Sequence, residues 1–229
     1  MRAALKGGLL LCSLCWSVSV LAASMIATLP GVGAVGVSVQ SVKERVFRNT
    51  VRQRYDFSCG SAALATLLTY HYAEPTTEEQ VFKSMFADGD QERIMKVGFS
   101  MADMKRYLAS LGLEANGYRV SFDKLAELAV PAIVLLNHQG YRHFVVVKGM
   151  DAERVLVGDS ALGTRTISRK EFEKMWSGVL FVILNRKQQG QASFNRSAEW
   201  RLREPAPLSV TRSSPIADLY VLLPRSGDF

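Results

Sequence analysis

The stretch Gln53-Arg54-Tyr55-Asp56-Phe57-Ser58-Cys59-Gly60, with the apolar run that follows it, is the starting point for interpreting the whole chain. The run predicts a helix over residues 60–72 that is buried on most of its sides. Cys59 would then lie at the helix N-terminus, where the helix dipole and the free N–H groups favour a thiolate. The stretch therefore predicts a cysteine nucleophile, which requires a histidine base, an orienting acid and an oxyanion donor elsewhere in the chain.

Length and composition indicate one domain of ordinary size with extensions. The chain has 229 residues, of which 48% are hydrophobic, so it can bury a sizeable core. Its formal net charge is +7, but the positive residues are scattered until the C-terminal tail and no nucleic-acid motif accompanies them. This pattern indicates a solvated basic surface and no nucleic-acid partner, while a weak preference for acidic partners or membrane surfaces stays open.

Residues 1–23 have the pattern of a secretory signal peptide. Arg2 and Lys6 supply its positive start, residues 7–21 its apolar region, and small residues around Ala22 its cleavage site. The apolar region is short for a membrane span and contains several serines, so cleavage is favoured over a permanent anchor. We expect the mature protein in the periplasm, with no membrane span after cleavage.

Cysteine usage singles out Cys59. Cys12 and Cys15 lie in the predicted signal peptide, so the mature chain keeps one thiol in a compartment where paired cysteines form disulfides. An unpaired thiol there is either a small buried hydrophobe or a reactive group. One sulfur and three dispersed histidines do not form a metal site, and the apolar helix faces are typical of core, so we expect neither a metal nor a cofactor.

The order of the predicted elements indicates the fold class. Helices come first, over 60–72, after an N-cap at Thr76 or Thr77, and after an N-cap at Ser100. Strands follow at 113–120, 132–136, 143–147, 154–157, 164–167 and 179–184, with short helices after Ser121 and Ser168. Helices followed by a hairpin-rich sheet predict an α+β protein with N-terminal helices packed on an antiparallel sheet, and not a doubly wound fold.

Composition divides the rest of the chain into three segments. The Gly- and Ala-rich residues 24–44 are expected to be flexible, and residues 45–185 to form the domain. Residues 41–54 are basic and polar, and we expect them to lie as an arm across that domain. Residues 186–229 are rich in Arg, Ser, Gln and Pro, which predicts a basic polar tail with one short apolar anchor at 219–223.

Two strand ends supply candidate partners for Cys59. His143 begins one predicted strand, and Asp159 ends the next strand after a tight hairpin. If these antiparallel strands pair in register, one imidazole nitrogen can face the thiol and the other the carboxylate. Gln53 can return its amide towards the nucleophile and form an oxyanion hole with the Cys59 N–H. Loss of one such donor costs a comparable hydrolase roughly 3–4 kcal/mol of transition-state stabilisation.

Taken singly, these residues also have structural interpretations. The cysteine is typical of a small buried hydrophobe, the histidine of a hydrogen-bonded core residue, the aspartate of a turn and the glutamine of the surface. Their order as a set favours the catalytic interpretation. His138 is a rival base, but it belongs to a polar turn predicted at 137–140, and His71 on the first helix is interpreted as structural.

The chain combines Gln53, a helix start at Cys59-Gly60, the strand His143-Phe144-Val145-Val146-Val147 and the turn Gly158-Asp159-Ser160. As a set, these features resemble a papain-like cysteine peptidase domain, the one that removes double-glycine leaders from bacteriocins. The resemblance spans about residues 46–184. The family includes a stand-alone secreted form from functional-amyloid export, and the resemblance leads us to expect a domain that is likewise not fused to a transporter. One departure is Ser58, because the family often has an acidic residue there.

The resemblance implies a role for each residue of the set. Cys59 would be the nucleophile, His143 the general base and then acid, Asp159 the orienting acid and Gln53 the oxyanion donor. The implied reaction is acyl transfer to the thiol, followed by hydrolysis of the thioester. The implied substrate is a polypeptide cut after small residues such as Gly-Gly, for example a leader, an amyloid subunit or another component of an amyloid export system.

Three functions fit these observations. The first is a periplasmic cysteine endopeptidase acting on a secreted polypeptide. The second is a non-cleaving peptide-binding or chaperone module of an amyloid secretion system, which would hold an extended segment in the same cleft by strand addition. The third is another acyl transfer at the same thiol, such as transpeptidation or amidation. The nucleophile and its partners favour cleavage over mere binding, because a binding cleft has no need of a reactive thiol.

Overall fold

The computed structural model describes residues 24–29, 33–38 and 41–201. The predicted signal peptide at 1–23 and the predicted apolar anchor at 219–223 lie outside the described residues. The chain divides into two compact units, and of the described residues those up to 41 belong to the first and residues 42–201 to the second. None of the helices in the described ranges is long and apolar enough to cross a membrane.

In the first unit, two short strands pair antiparallel. They are β1 (Ser24–Leu29) and β2 (Gly33–Ser38), aligned so that Ser24 lies opposite Ser38. Both strands lie within residues 24–44, which the sequence predicts to be flexible because of their glycines and alanines. β-branched residues occupy alternate positions within both strands, which favours extended pairing.

The second unit combines helices with one large sheet. Its described helices are α1 (Val42–Val46), α2 (Cys59–His71), α3 (Glu78–Ala87), α4 (Gln91–Val97), α5 (Met101–Ser110), α6 (Phe122–Leu128), α7 (Arg169–Met175), α8 (Lys187–Ser193) and α9 (Ser197–Trp200). Its described strands are β3 (Ala115–Arg119), β4 (Ala132–His138), β5 (Tyr141–Met150), β6 (Arg154–Asp159), β7 (Gly163–Ser168) and β8 (Trp176–Ile183).

These six strands form an antiparallel sheet in the order β3-β8-β4-β5-β6-β7. The helices α2 to α5 precede all of its strands in the chain. The predicted α+β class with an antiparallel sheet is confirmed. The predicted N-caps are confirmed as well: Thr77 and Ser100 form capping boxes, and Ser121 and Ser168 accept from the backbone of α6 and α7.

The helix α2 is the central element on one face of the sheet. Its buried leucines, among them Leu64 and Leu68, belong to a core that includes Phe144 and Val146 of β5. Each such leucine contributes about 1.5–3 kcal/mol by leaving water. On the other face, a second core contains Val145 of the same strand, together with residues of α6 and α7. Because β5 is buried on both faces, the strand end that carries His143 is held in a fixed position relative to α2.

Residues 186–201, which the sequence predicts as the start of a polar tail, form α8 and α9, and their side chains pair with residues of α2 and β5. The Oγ atom of Ser193 lies 2.9 Å from Nδ1 of His71, and Glu199 forms a buried ion pair with Lys148. The Met150 N–H of β5 also donates to Asn195 Oδ1, and Asn195 Nδ2 donates to the Met150 carbonyl. Burial of this segment depends on polar pairs, which apolar periodicity does not detect.

Candidate active site

Cys59 is the first residue of α2. The preceding residue, Ser58, makes no side-chain cap for the helix. Its Oγ instead donates to the carbonyl of Tyr55 at 2.9 Å and accepts from the Tyr55 N–H at 3.2 Å. The first N–H groups of a helix have no intrahelical acceptor, so the uncapped start of α2 presents donors beside the thiol. Cys59 is 8% exposed and belongs to the lining of a cleft.

His143 and Asp159 lie on adjacent strands and form a hydrogen bond. The pairing of β5 with β6 places Val145 opposite Asp159, so His143 is the diagonal neighbour on the same face. The His143 Nε2 atom lies 2.9 Å from Oδ1 of Asp159. The aspartate is 1% exposed and the histidine 9%, so water is largely excluded from their hydrogen bond. The structure thus brings the predicted base and the predicted acid together.

This pairing changes the proton affinities of both groups. Burial lowers the pKa of His143, but the hydrogen bond to Asp159 and the interaction with Cys59 outweigh it and raise that pKa to about 9. Burial raises the pKa of Asp159, but the hydrogen bond and charge of His143 outweigh it and lower that pKa to about 2. At neutral pH the histidine therefore carries a proton and the aspartate is ionised.

The other ring nitrogen of His143 faces the thiol side of the site. Within the described residues Nδ1 is buried and makes no hydrogen bond of standard geometry. The thiol is nevertheless close enough to raise the pKa of His143. Tyr141, two residues earlier on β5, stacks on the imidazole with a centroid separation of 6.0 Å and an interplanar angle of 21°. The imidazole is oriented by the hydrogen bond between Nε2 and Asp159.

Gln53 is anchored beside the turn that follows Asp159. Its backbone N–H donates to the Ser160 carbonyl at 3.0 Å, and its Oε1 accepts from Ser160 Oγ at 2.7 Å. Its Nε2 donates to the Tyr55 carbonyl at 3.1 Å, and the amide has a second N–H for another acceptor. The residues just before it follow the domain surface as the predicted arm, since the Val51 N–H donates to Thr66 Oγ1 of α2 at 2.9 Å.

The structure does not bring the two other histidines to the thiol. His71 lies at the opposite end of α2, and burial, together with the charges of Lys148 and Arg196, lowers its pKa to about 3. His138 is exposed at the end of β4, where it pairs with Tyr141. Strand β4 continues through His138, so the turn comprises residues 139–140 rather than the predicted 137–140. Among the described histidines, His143 is therefore the one beside Cys59.

One residue of the site is missing from the sequence-based prediction. Arg165 on β7 contacts Asp159 through two hydrogen bonds, with its Nε and Nη2 atoms at 3.2 and 3.1 Å from Oδ2. Asp159 Oδ1 also accepts from the backbone N–H groups of Ala161 and Leu162 at 2.9 and 3.1 Å. The available signal was the position of Arg165 just after a glycine turn, on the strand following that of Asp159. Arginines in such hairpins are common, so the signal is weak.

A cleft of about 690 Å³ opens at Cys59. Apolar side chains dominate its lining, and Met95, Val97 and Tyr141 are more than half exposed. Its charged lining residues are Asp56, Arg93, Lys96 and Arg142. In the described part of the chain no group of three or more His, Cys, Asp or Glu side chains is arranged to hold a metal ion. The arrangement is suited to holding an extended polypeptide across a thiol.

Comparisons with known proteins agree with this geometry. The sequence model of the Peptidase C39 family matches residues 48–188. A Pseudomonas aeruginosa protein named "Probable functional amyloid protease FapD" is 44% identical over 194 residues, which is 83% of this chain and 83% of that protein. A Pseudomonas fluorescens protein of the same name is 43% identical over 159 residues, covering 69% of this chain and 70% of its own length.

A solved structure extends the comparison to the fold. It is a double glycine motif protease from an AMS/PCAT transporter, in complex with the leader peptide. It is 28% identical in sequence and superimposes with a TM-score of 0.50, covering 58% of this chain and 89% of that one. The fold described above is thus that of papain-like double-glycine peptidase domains.

Proposed function

The chain belongs to the Peptidase C39 family, and on that premise we propose that it is a periplasmic cysteine endopeptidase that cleaves a secreted polypeptide. The observation that carries this proposal is the arrangement of three side chains: Cys59 at an uncapped helix start, and His143 hydrogen-bonded to the buried Asp159. This is the nucleophile, base and orienting acid of acyl-transfer enzymes.

In the proposed mechanism, the Cys59 thiolate attacks the scissile carbonyl. The negative charge that develops on the carbonyl oxygen is stabilised by the Cys59 N–H and the free amide hydrogen of Gln53. The His143 imidazolium then donates its proton to the leaving amine, and an acyl-thioester remains on Cys59. Neutral His143 next removes a proton from water, the resulting hydroxide attacks the thioester, and Cys59 is released as a thiolate with His143 protonated again.

The contacts of His143, Asp159 and Gln53 support the roles that we assign to these residues. Asp159 accepts from the Nε2 side of the ring, so Nδ1 is left for the thiol and the leaving group. The raised pKa of His143, about 9, keeps the imidazole protonated at neutral pH, so that it can donate a proton to the leaving amine. The Ser160 carbonyl accepts from the Gln53 backbone N–H, and Ser160 Oγ donates to Gln53 Oε1. The proposed oxyanion donor is therefore anchored to the same turn as Asp159.

The proposed substrate is an extended segment of a secreted polypeptide. The cleft at Cys59 combines exposed apolar side chains with Lys96 and Arg142, which form no ion pair among the described residues. Such a lining fits a segment with apolar and acidic side chains. The FapD relatives point to a component of a functional-amyloid system, and the leader-bound relative to cleavage after small residues.

The proposal is tested by comparing cells that carry the wild-type protein, Cys59→Ala, or no protein. Mass spectrometry of the secreted polypeptides should find a new N-terminus in the wild type that is absent from both other strains. If all termini are identical, cleavage is excluded. Normal secretion with Cys59→Ala but not in the deletion strain would instead establish the non-cleaving peptide-binding module.

A second test follows Cys59 directly. The peptide that contains it is monitored by mass spectrometry during reaction with iodoacetamide near pH 7. His143→Ala should slow the labelling at least tenfold, because the partner that stabilises the thiolate is lost. His138→Ala is the matched control and should react like the wild type. Slow labelling in the wild type that His143→Ala leaves unchanged would identify Cys59 as an inert core thiol.

A further inference from the structure

Asp159 is the middle of a row of three side chains on one face of the sheet, here called the carboxylate row (His143, Asp159, Arg165). Asp159 lies opposite Val145 on β5 and opposite Gly163 on β7. His143 and Arg165 are therefore its diagonal neighbours, one on each flanking strand, and they approach from opposite directions along β6.

The two partners use different oxygens of the carboxylate. His143 Nε2 lies 2.9 Å from Oδ1, and Arg165 contacts Oδ2 through Nε at 3.2 Å and Nη2 at 3.1 Å. A guanidinium that binds through two N–H groups fixes both the position and the plane of its acceptor. With Oδ2 fixed in this way, Oδ1 is directed at the imidazole. The side chain of Asp159 is 2% exposed and that of Arg165 24%, so the contact is shielded from most solvent.

We propose that Arg165 is a positioning residue of this site, which fixes the orientation of the Asp159 carboxylate and moderates its hold on the His143 proton. The inference rests on the proposed peptidase function, since it concerns the same base. It is tested without any substrate, so it stands or falls separately from cleavage. If Cys59→Ala changes no secreted terminus, the peptidase proposal fails while the measurement below still decides the role of Arg165.

The charge balance around His143 gives the direction of the effect. The described titratable groups that face the imidazole are Asp159 of β6, Cys59 at the start of α2, and Tyr141 of β5, with Asp56 close to Tyr141. Arg165 is the cation that offsets the Asp159 charge. Without it, the carboxylate attracts the imidazole proton more strongly, so His143 should release that proton at higher pH.

The experiment is an NMR titration of the full chain labelled with 13C at histidine Cε1. The chain has three histidines, and the His143 signal is identified by its loss in His143→Ala. The variants are Arg165→Met and Arg165→Gln, which remove the charge, and Arg165→Lys, which keeps it. Arg154→Met is the matched control, because Arg154 also contacts one oxygen of an aspartate, Asp151, through Nε and Nη2, at 3.1 and 2.7 Å.

We expect the titration midpoint of His143 to rise by about 0.5–1 pH unit in Arg165→Met and in Arg165→Gln, the scale for removal of one nearby positive charge. Arg165→Lys should return the midpoint towards that of the wild type, and Arg154→Met should leave it unchanged. If Arg165→Met does not fold, Arg165→Gln decides. A folded neutral variant with an unchanged or lower His143 midpoint overturns the inference, because a merely structural arginine would lower stability without moving this midpoint.

Discussion

Replacing Glu199 tests whether the C-terminal helices are part of the domain. The side chains of Lys148 and Glu199 form an ion pair at 0% and 2% exposure. Lys148 Nζ also donates to the carbonyl of Asn49 at 2.6 Å. Glu199→Ala would leave a buried ammonium with this one acceptor and no counter-charge. Breaking a buried pair from one side usually costs about 3–5 kcal/mol, and we expect a loss of that size in the free energy of unfolding.

A double variant separates two effects on the free energy of unfolding, that of an unpaired buried charge and that of the intact ion pair. In Lys148→Met with Glu199→Leu both charges are gone and the volume is kept, so the protein should be more stable than Glu199→Ala and within about 1 kcal/mol of the wild type, or above it. The control is Glu74→Ala, which removes an ion pair with Arg186 whose side chains are 42% and 40% exposed. It should cost about 1 kcal/mol or less.

The pH dependence of the loss has a defined sign. Burial lowers the pKa of Lys148, Glu199 opposes that effect, and Arg196 adds to it. Glu199→Ala therefore lowers the pKa of Lys148 further, and between that value and the ordinary 10.5 the unfolded chain binds more protons than the folded one. Stability of the variant should recover relative to the wild type as the pH rises from 7 to 9.5.

Urea denaturation followed by circular dichroism at both pH values measures these differences. Two results would refute the reasoning. One is a Glu199→Ala variant whose free energy of unfolding lies within about 1 kcal/mol of the wild type at pH 7, since an unpaired buried charge should destabilise the protein by more than that. The other is a destabilisation that grows between pH 7 and 9.5.

Three further predictions concern the site and its frame. In Asp159→Asn, His143 loses the carboxylate that is the largest cause raising its pKa to about 9, while Cys59 remains, so the histidine NMR midpoint should fall clearly below 9, with kcat lower by about 10³–10⁴; a midpoint still near 9 would contradict this. Gln53→Ala should lower kcat by about 10²–10³ with little change in KM in peptide-cleavage kinetics, and an unchanged kcat would remove Gln53 from the oxyanion hole. Gly163→Ala should lower the free energy of unfolding by about 1–2 kcal/mol in thermal denaturation, because φ is +84° and the new Cβ would lie 2.7 Å from Val46 Cγ2; full stability would show that the β7 turn can shift.

The sequence was informative where chemistry and periodicity coincide. The apolar run after Cys59 predicts a buried helix, and α2 begins within one residue of the predicted start. The hairpin between His143 and Asp159 predicts that these residues lie close together, and His143 Nε2 lies 2.9 Å from Asp159 Oδ1. What the sequence could not supply is the ring nitrogen that faces the carboxylate, because this depends on the diagonal offset of β5 and β6 rather than on residue order.

Other features escaped prediction for different physical reasons. The helix α4 was missed because its apolar residues Met95 and Val97 point outwards and only Ile94 is buried, so no amphipathic pattern exists. The packing of residues 186–201 was missed because the segment buries hydrogen-bonded and charged groups. Arg165 was missed because its role depends on β7 lying beside β6, and an arginine on an edge strand ordinarily faces solvent.

The carboxylate row has a consequence for the newly made chain. Its three side chains come from strands joined by short hairpins, whereas Cys59 comes from a helix that lies far earlier in the sequence. Contacts between near neighbours in sequence form more readily than distant ones. We therefore expect the base and acid to meet first, and the thiol to reach them only when α2 docks on the finished sheet. A partly folded molecule would then carry the Cys59 thiol without the histidine that is proposed to activate it.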